Sequence, residues 1–383
     1  MKQAGADLIW LCRCALHGTV PEPERIQKTD LAKLWEMARF HSLTALTAAV
    51  LLKAGVQLPS EWTEARWKSV RKNLLLDAER AEIEAFLEEN NIPFAPLKGI
   101  LLKELYPEAG MREMADQDML CDSRGREKLA AFMEKRGYSG SCIGRGNHDI
   151  FKKPPVYHFE MHTALFGTHQ NPQFAEYFRK MEENLLRSGS GCRKWLSDEE
   201  HYLYLTAHAF RHHAEGGTGV RTLLDFYLYL QNYGAFMNWE ELSAGLDELG
   251  LTEYEATLRT LAHQLFAGEG EQGLTDKQRE MLEYCLFSGT FGTTAHRVQK
   301  AGKWAYLRQR LFPDMAFYRE FYPFFCRHWL LLPIAWLIRL FRAVLIRRNH
   351  LKKELNAILK KHNRRNNHDQ AHHSLDTERG IHS

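Results

Sequence analysis

The 383-residue chain has little of what marks the specialised protein classes. It holds no run of the roughly 20 apolar residues that a bilayer-spanning helix needs. Its most apolar stretch, Trp329 to Ile338, is closed by Arg339 and reads as a buried or interfacial helix. Cysteine is sparse. Cys12, Cys14, Cys121, Cys142, Cys192, Cys285 and Cys326 form no C-x-x-C pair, which excludes a zinc ribbon, a thioredoxin-like motif and a disulfide scaffold. Cys12 and Cys14, inside an apolar stretch, read as two buried or half-buried thiols in a reducing cytosol. No internal repeat or low-complexity core is present. Asp7 and Arg13 interrupt the opening segment, which lacks the continuous apolar core of a signal peptide. The expected location is therefore cytoplasmic.

What is present is ordinary globular composition: 44% apolar and 26% charged residues, enough for roughly two or three domains of about 150 residues. The net charge of +3 is unevenly placed. Arg342 to Ser383 carries 10 Lys+Arg and 4 Asp+Glu, so the remaining residues hold 41 basic and 44 acidic side chains. A slightly acidic body without a groove-reading motif speaks against sequence-specific nucleic-acid binding. The basic amphipathic segment RLFRAVLIRRNHLKKELNAILKK has two readings. It is a peripheral contact with the inner face of the membrane or another anionic polymer, or a helix packed on the body with a solvated basic face.

Periodicity divides the chain into four parts. Residues 1–90 read as helical, with Asp30 capping one helix and Pro59-Ser60 opening a long one whose apolar positions are Trp67, Val70, Leu74, Leu75, Ile83, Phe86 and Leu87. Residues 91–195 form a small α/β unit, with strands around Pro93–Leu97, Met114–Cys121, Asp149–Lys153 and Val156–Leu165 and a turn at Pro154-Pro155. Residues 196–362 are helical again, with Ser197 as a cap, a break at Gly216-Gly217, and a last long helix from Tyr318 to His362 interrupted at Pro333. Residues 363–383 are polar, His-rich and expected to be disordered. The fold class is α+β: a small mixed sheet embedded between helical regions.

The chemistry is concentrated between Leu97 and Asp122. Asp116 and Asp118 stand at i and i+2, which on a strand places both carboxylates on one face. Like charges so close repel unless a cation joins them, and Mg²⁺ suits carboxylates combined with substrate phosphates. In VYHFEMHTAL, His158, Glu160 and His162 alternate onto one face, so Glu160 joins the aspartate pair if the two strands are neighbours. Three carboxylates so placed are able to hold two Mg²⁺ (or Mn²⁺) ions for phosphoryl transfer. Without such a partnership the same residues are a polar edge strand and a surface acid.

Leu97-Lys98-Gly99, Arg112-x-x-x-Asp116-x-Asp118, Glu160-x-His162, a helix with His208 and His212, and then Arg221 and Asp225 together resemble the uncharacterised bacterial nucleotidyltransferases of the NTP-transferase-5 type, in the polymerase beta-like superfamily. The likeness runs to about residue 360. It implies a small mixed sheet flanked by helices, two divalent ions, and transfer of a nucleoside monophosphate from an NTP. Asp116 and Asp118 match the metal-binding pair, Glu160 the third acid that helps activate the acceptor hydroxyl, and Lys98-Gly99 the turn that approaches the triphosphate. Gln117, between the acids, departs from the usual apolar residue, and its side chain points to the opposite face, where it either finds a partner or leaves that face partly wet.

Several residues keep more than one reading. Lys98 contacts a triphosphate oxygen or is a solvated turn lysine. Arg112 holds the triphosphate, pairs with an acid of the site, or lies on the surface. His162 orients Glu160, touches substrate or metal, or is structural. His208 and His212, at i and i+4, face nucleotide or acceptor or simply pack, since no H-E-x-x-H pattern supports zinc. The activity read from this set is Mg²⁺-dependent nucleotidyl transfer to a hydroxyl or phosphate on a small molecule, sugar, peptide or protein. The alternative is a non-catalytic binding or scaffold protein of the same fold, placed at the membrane surface.

Overall fold

Capping and apolar spacing account for most of the helices. In the computed structural model, which describes residues 2–345 apart from 170, 188, 268–269, 291 and 293–301, the chain opens with α1 (Lys2–His17), α2 (Pro23–Lys28), α3 (Leu31–Phe40), α4 (Thr44–Lys53) and α5 (Ser60–Glu89). Asp30 caps α3 by accepting from the Lys33 N–H, as expected. Five strands follow: β1 (Phe94–Pro96), then the single turn α6 (Gly99–Leu102), β2 (Gln117–Cys121), α7 (Arg126–Lys135), β3 (Ser139–Ser141), β4 (His148–Lys153) and β5 (Tyr157–His162). The chain continues through α8 (Pro172–Arg187), α9 (Asp198–Glu215), α10 (Val220–Tyr233), α11 (Trp239–Leu249), α12 (Thr252–Phe266) and α13 (Asp276–Ser288). Ser197 and Glu200 form a reciprocal capping box on α9, which satisfies two of the N–H groups that a helix start leaves open.

The sheet order is β1-β2-β5-β4-β3, with β2 and β5 parallel and the other pairs antiparallel. This is the expected α+β architecture with a small mixed sheet. Backbone groups of Cys192 and Lys194 bond to Phe94 and cover the β1 edge, which removes an unpaired template for other strands. The two faces differ. Met119, Cys121, Phe151, Phe159 and Met161 pack with Leu76, Ile83 and Leu87 of α5 and Leu129 and Met133 of α7. A larger apolar core joins α1, α3, α4 and α8–α13 and reaches Leu97, Leu120 and Leu165. Cys12 and Cys14 are buried free thiols in that core.

Several expectations need correction. Asp116 lies one residue before β2, because the strand starts at Gln117 and not at Met114. Trp67 and Leu74 are exposed on α5, while Ser69 and Asn73 are buried. The reason is that this half of α5 faces a loop, not a core: Ser69 donates to the Gly110 carbonyl, Lys72 to that of Ala115 and Asn73 to that of Arg112. β3 and α8 were not anticipated.

Residues up to Phe291 form one compact unit, and a second begins at Gly292. Its described helices are Lys303–Leu311, Met315–Phe321, Pro323–Arg327 and Leu332–Leu345. The expected long helix is instead broken at Tyr322, where the following proline forces the chain out of helical geometry. Pro333 sits in the first turn of the last helix, where its missing N–H is harmless. Leu330, Leu337 and Phe341, in and beside the apolar stretch, are exposed. Among the described residues no helix is long and apolar enough to cross a membrane. The basic run beyond Leu345 and the expected disordered tail lie outside the described residues.

Candidate active site

The register of β2 and β5 assembles the acids. Asp118 pairs with Glu160 across the two parallel strands, and Leu120 with His162. β4 adds His148 opposite His162. Side chains two apart share a face, so Asp118, Glu160, His162 and His148 line the face opposite the α5 and α7 core. All four, with Asp116, Lys98, Gly99, Arg112, His208 and His212, border one cavity of about 420 Å³. The structure therefore brings together every residue singled out for the site. Arg221 and Asp225, whose i, i+4 spacing on α10 suggested a pair on their own helix, border the cavity too, with Asp225 given to Arg112 and Arg221 donating to the Glu113 carbonyl, and Arg211 on α9 joins them.

Two overlapping groups of ligand atoms lie within 4.8 Å of one another: Asp116, His158 and Glu160, and Asp118, Glu160 and His162. Burial and the neighbouring Asp118 and Asp116 carboxylates push Glu160 up to about 7, and burial with Asp118 also raises Asp116. Burial works in the same direction on Asp118. There it is outweighed by the Lys98 ammonium and by His162, which hold that carboxyl well below its ordinary range. Lys98 Nζ and His162 Nε2 both lie 2.9 Å from the same oxygen, Asp118 Oδ1. A carboxylate only accepts, so His162 carries its proton on Nε2. Its buried Nδ1 has no hydrogen-bond partner. Burial and nearby positive charge lower His148 and His162, and burial lowers His158, which favours the neutral form of the imidazoles beside Glu160. His148, His158 and His162 place Nε2 3.8, 3.6 and 3.9 Å from Glu160.

The turn into α6 is unusual. The Ile100 N–H bonds back to the Leu97 carbonyl, and Lys98 has φ 45° and ψ −115°. Those angles belong to the first central position of a type II′ turn, where glycine is the rule. Lys98 is thus no solvated turn lysine: its side chain turns inward to Asp118 and lies 5.7 Å from the Tyr204 ring centre. A helix of one turn has little dipole, so α6 adds nothing to phosphate attraction. Gly99 matters for its lack of a side chain. A Cβ there would come within 2.8 Å of Arg112 Nη1 and 2.9 Å of Met114 Cε.

Arg112 is buried and not a surface loop residue. Its Nε and Nη2 grip the two oxygens of Asp225 on α10 at 2.8 and 2.9 Å, and Tyr106 donates to the same carboxylate at 2.7 Å. This bidentate pair clamps the loop before Asp116 to the helical region. Gln117, fully buried, finds its partner on α5, where Nε2 donates to Asp77 at 3.1 Å. Asp77 in turn pairs with Lys103 and Arg80.

On α9, Tyr204, His208, Arg211 and His212 follow the i, i+4, i+7, i+8 spacing of one helix face. His208 Nε2 and His212 Nε2 are 3.2 Å apart, and Arg211 Nη2 lies 3.3 and 3.4 Å from them. The arginine places a positive charge between the two imidazoles, which disfavours a cation such as zinc there. Arg211 and Tyr204 were missed from sequence. Extending the His208/His212 face one turn back would have found Tyr204, and Arg211 stands three residues after His208 on that face. His148 was missed because nothing in β4 alone marks its face as the acidic one.

A sequence profile for a family described as uncharacterised nucleotidyltransferase matches residues 27–267. The matched region includes both layers of the site, the sheet with its acids and the helical wall of α9 and α10. The chain belongs to that family. No curated protein and no solved structure matches it significantly.

Proposed function

We propose that this member of the nucleotidyltransferase family moves a nucleoside monophosphate from an NTP to a hydroxyl or phosphate acceptor and releases pyrophosphate. The single observation that supports this best is the pairing of Asp118 with Glu160 across β2 and β5, with Asp116 one residue before the strand. The donor set fits Mg²⁺ or Mn²⁺: one buried and two half-buried carboxylates, with Asp116 and Glu160 raised by burial and then by repulsion among the acids, whose coexistence as anions requires added positive charge. Asp116, Asp118 and Glu160 would hold such ions. When bound, the ions neutralise the phosphate charge that grows as the pyrophosphate leaves.

The remaining roles fall to the chain itself. Lys98, Arg211 and Arg221 place positive charge around the cavity for a triphosphate. Glu160 is the acid positioned to take the proton of the acceptor hydroxyl as the new P–O bond forms and the α–β phosphoanhydride breaks. His162 orients Asp118 by donating to it. Arg112 is a positioning residue, since its charge is committed to Asp225.

The test uses each NTP labelled at the α-phosphate, Mg²⁺ or Mn²⁺, and a panel of sugar, peptide and small-molecule acceptors. Asp116→Asn and Asp118→Asn should each abolish transfer. Equal NTP turnover by these variants and the wild type overturns the reading. A second reading, nucleotide binding without turnover, draws on the Lys98–Asp118 pair, which a non-catalytic member would keep as a structural contact. Nucleotide binding without transfer to any acceptor, unchanged in Asp116→Asn, would favour it.

A further inference from the structure

We infer that Lys98 is a stand-in cation: in the free protein its ammonium occupies the Asp118 carboxylate, and an incoming nucleotide draws it away onto its phosphates, so that the acid cluster takes up a divalent ion together with the nucleotide and not before it. The inference rests on the nucleotidyltransferase reading of the site.

Four features converge on it. Asp118 Oδ1 already receives two donors, Lys98 Nζ and His162 Nε2, each at 2.9 Å. A carboxylate oxygen has about two lone-pair directions, so that oxygen is saturated, and a divalent ion on the same carboxylate would meet an ammonium of like sign. The two donors differ in freedom. His162 is fixed on β5 and buried, with pairing on both sides from β2 and β4. Lys98 stands on a turn, borders the cavity, and carries its charge on a flexible four-carbon stem.

The turn itself singles out this lysine. At φ 45° and ψ −115° a glycine would sit without strain. A strained non-glycine residue whose side chain points at an acid of the site is the pattern of a functional constraint. Finally, the cavity offers an anion somewhere to go. The α9 face with His208, Arg211 and His212 borders the same space as Lys98, so phosphates drawn there bring Lys98 a second anionic partner. The lysine exchanges a carboxylate for a phosphate and keeps its charge throughout.

Mn²⁺ binding measured by electron paramagnetic resonance separates the possibilities without relying on turnover. Wild type and Lys98→Met are titrated with Mn²⁺, each with and without a non-hydrolysable NTP analogue, and corrected for Mn²⁺ held by the analogue alone. Without nucleotide, Lys98→Met should bind Mn²⁺ roughly 100-fold more tightly than wild type, the scale expected when a buried ion pair no longer has to be broken. With the analogue the gap should close. Equal nucleotide-free affinities overturn the inference while leaving the metal site intact. If neither protein binds Mn²⁺ under any condition, the nucleotidyltransferase reading falls and this inference with it. Should Lys98→Met fail to fold, the wild type decides alone: its Mn²⁺ affinity must rise by a similar factor with the analogue, and an unchanged affinity refutes the exchange.

Discussion

Glu182 gives the sharpest quantitative handle on the fold that carries the site. It lies on α8 and is only 7% exposed. Its Oε1 accepts the Leu165 N–H at 2.6 Å, which fastens the chain three residues beyond the end of β5. Burial pushes this carboxyl from 4.5 up to about 7, and the Leu165 N–H only partly offsets it. Between those values the folded chain binds a proton that the unfolded chain has lost, so stability falls as pH rises through this window. The contribution of this group is largest below pH 4.5 and levels off above about 7. The full loss is roughly 3 kcal/mol, from about 1.4 kcal/mol per pH unit. Glu182→Gln keeps the acceptor for Leu165 but cannot ionise. Urea unfolding of both proteins at pH 5, 6.5 and 8 isolates this group, since all other titrations cancel in the difference. The variant should match the wild type within about 1 kcal/mol at pH 5 and exceed it by roughly 2–3 kcal/mol at pH 8. A difference that is the same at all three pH values would show that Glu182 is already ionised in the folded protein and refute the reasoning.

Other substitutions probe the two clamps on the acidic loop. Gly99→Ala adds a Cβ within 2.8 Å of an Arg112 guanidinium that Asp225 holds in place, so overpacking should cost roughly 1–3 kcal/mol, read as a lower melting temperature; an unchanged melt would mean that Arg112 moves freely. Asp225→Ala leaves the buried guanidinium and the Tyr106 hydroxyl without their shared carboxylate and should destabilise by about 3–5 kcal/mol in chemical denaturation. A loss under about 1 kcal/mol would show that the pair is solvated and not a clamp.

Much of this architecture was readable in the chain because its signals are local. Ser197 with Glu200 announces a helix start within four residues, and Glu160-x-His162 declares a strand face by alternation alone. What stayed hidden is either non-local or chemically quiet. Arg112 and Asp225 are 113 residues apart, and nothing beside either one names the other. β3 is Ser-Gly-Ser, without an apolar residue to mark it, and exists only because β4 offers an edge. The apolar period of α5 pointed to Trp67 and Leu74. The helix turned elsewhere because carbonyls of the 110–115 loop need donors, and Ser69, Lys72 and Asn73 supply them. A periodicity argument counts apolar partners and cannot see that demand.

That demand also explains the glutamine between the two acids. An apolar residue at position 117 would pack as well against α5 but leave Asp77 with only its cationic partners, Lys103 and Arg80. Gln117 instead bonds to Asp77, so the strand behind Asp116 and Asp118 is tied to the same helix that grips the preceding loop through Lys72 and Asn73. The carboxylate segment is held on this side by α5 and at Arg112 by α10. Across the sheet, β5 fixes His162 against Asp118. Every neighbour that holds the acids is therefore on a helix or strand, except Lys98, whose turn is strained and whose charge rides on a flexible stem. Rigid anions beside a cation on a strained turn is the division expected of a site that must keep its donors in place while exchanging what neutralises them. A purely structural cluster would be served better by a second short, fixed donor like His162 in place of that lysine.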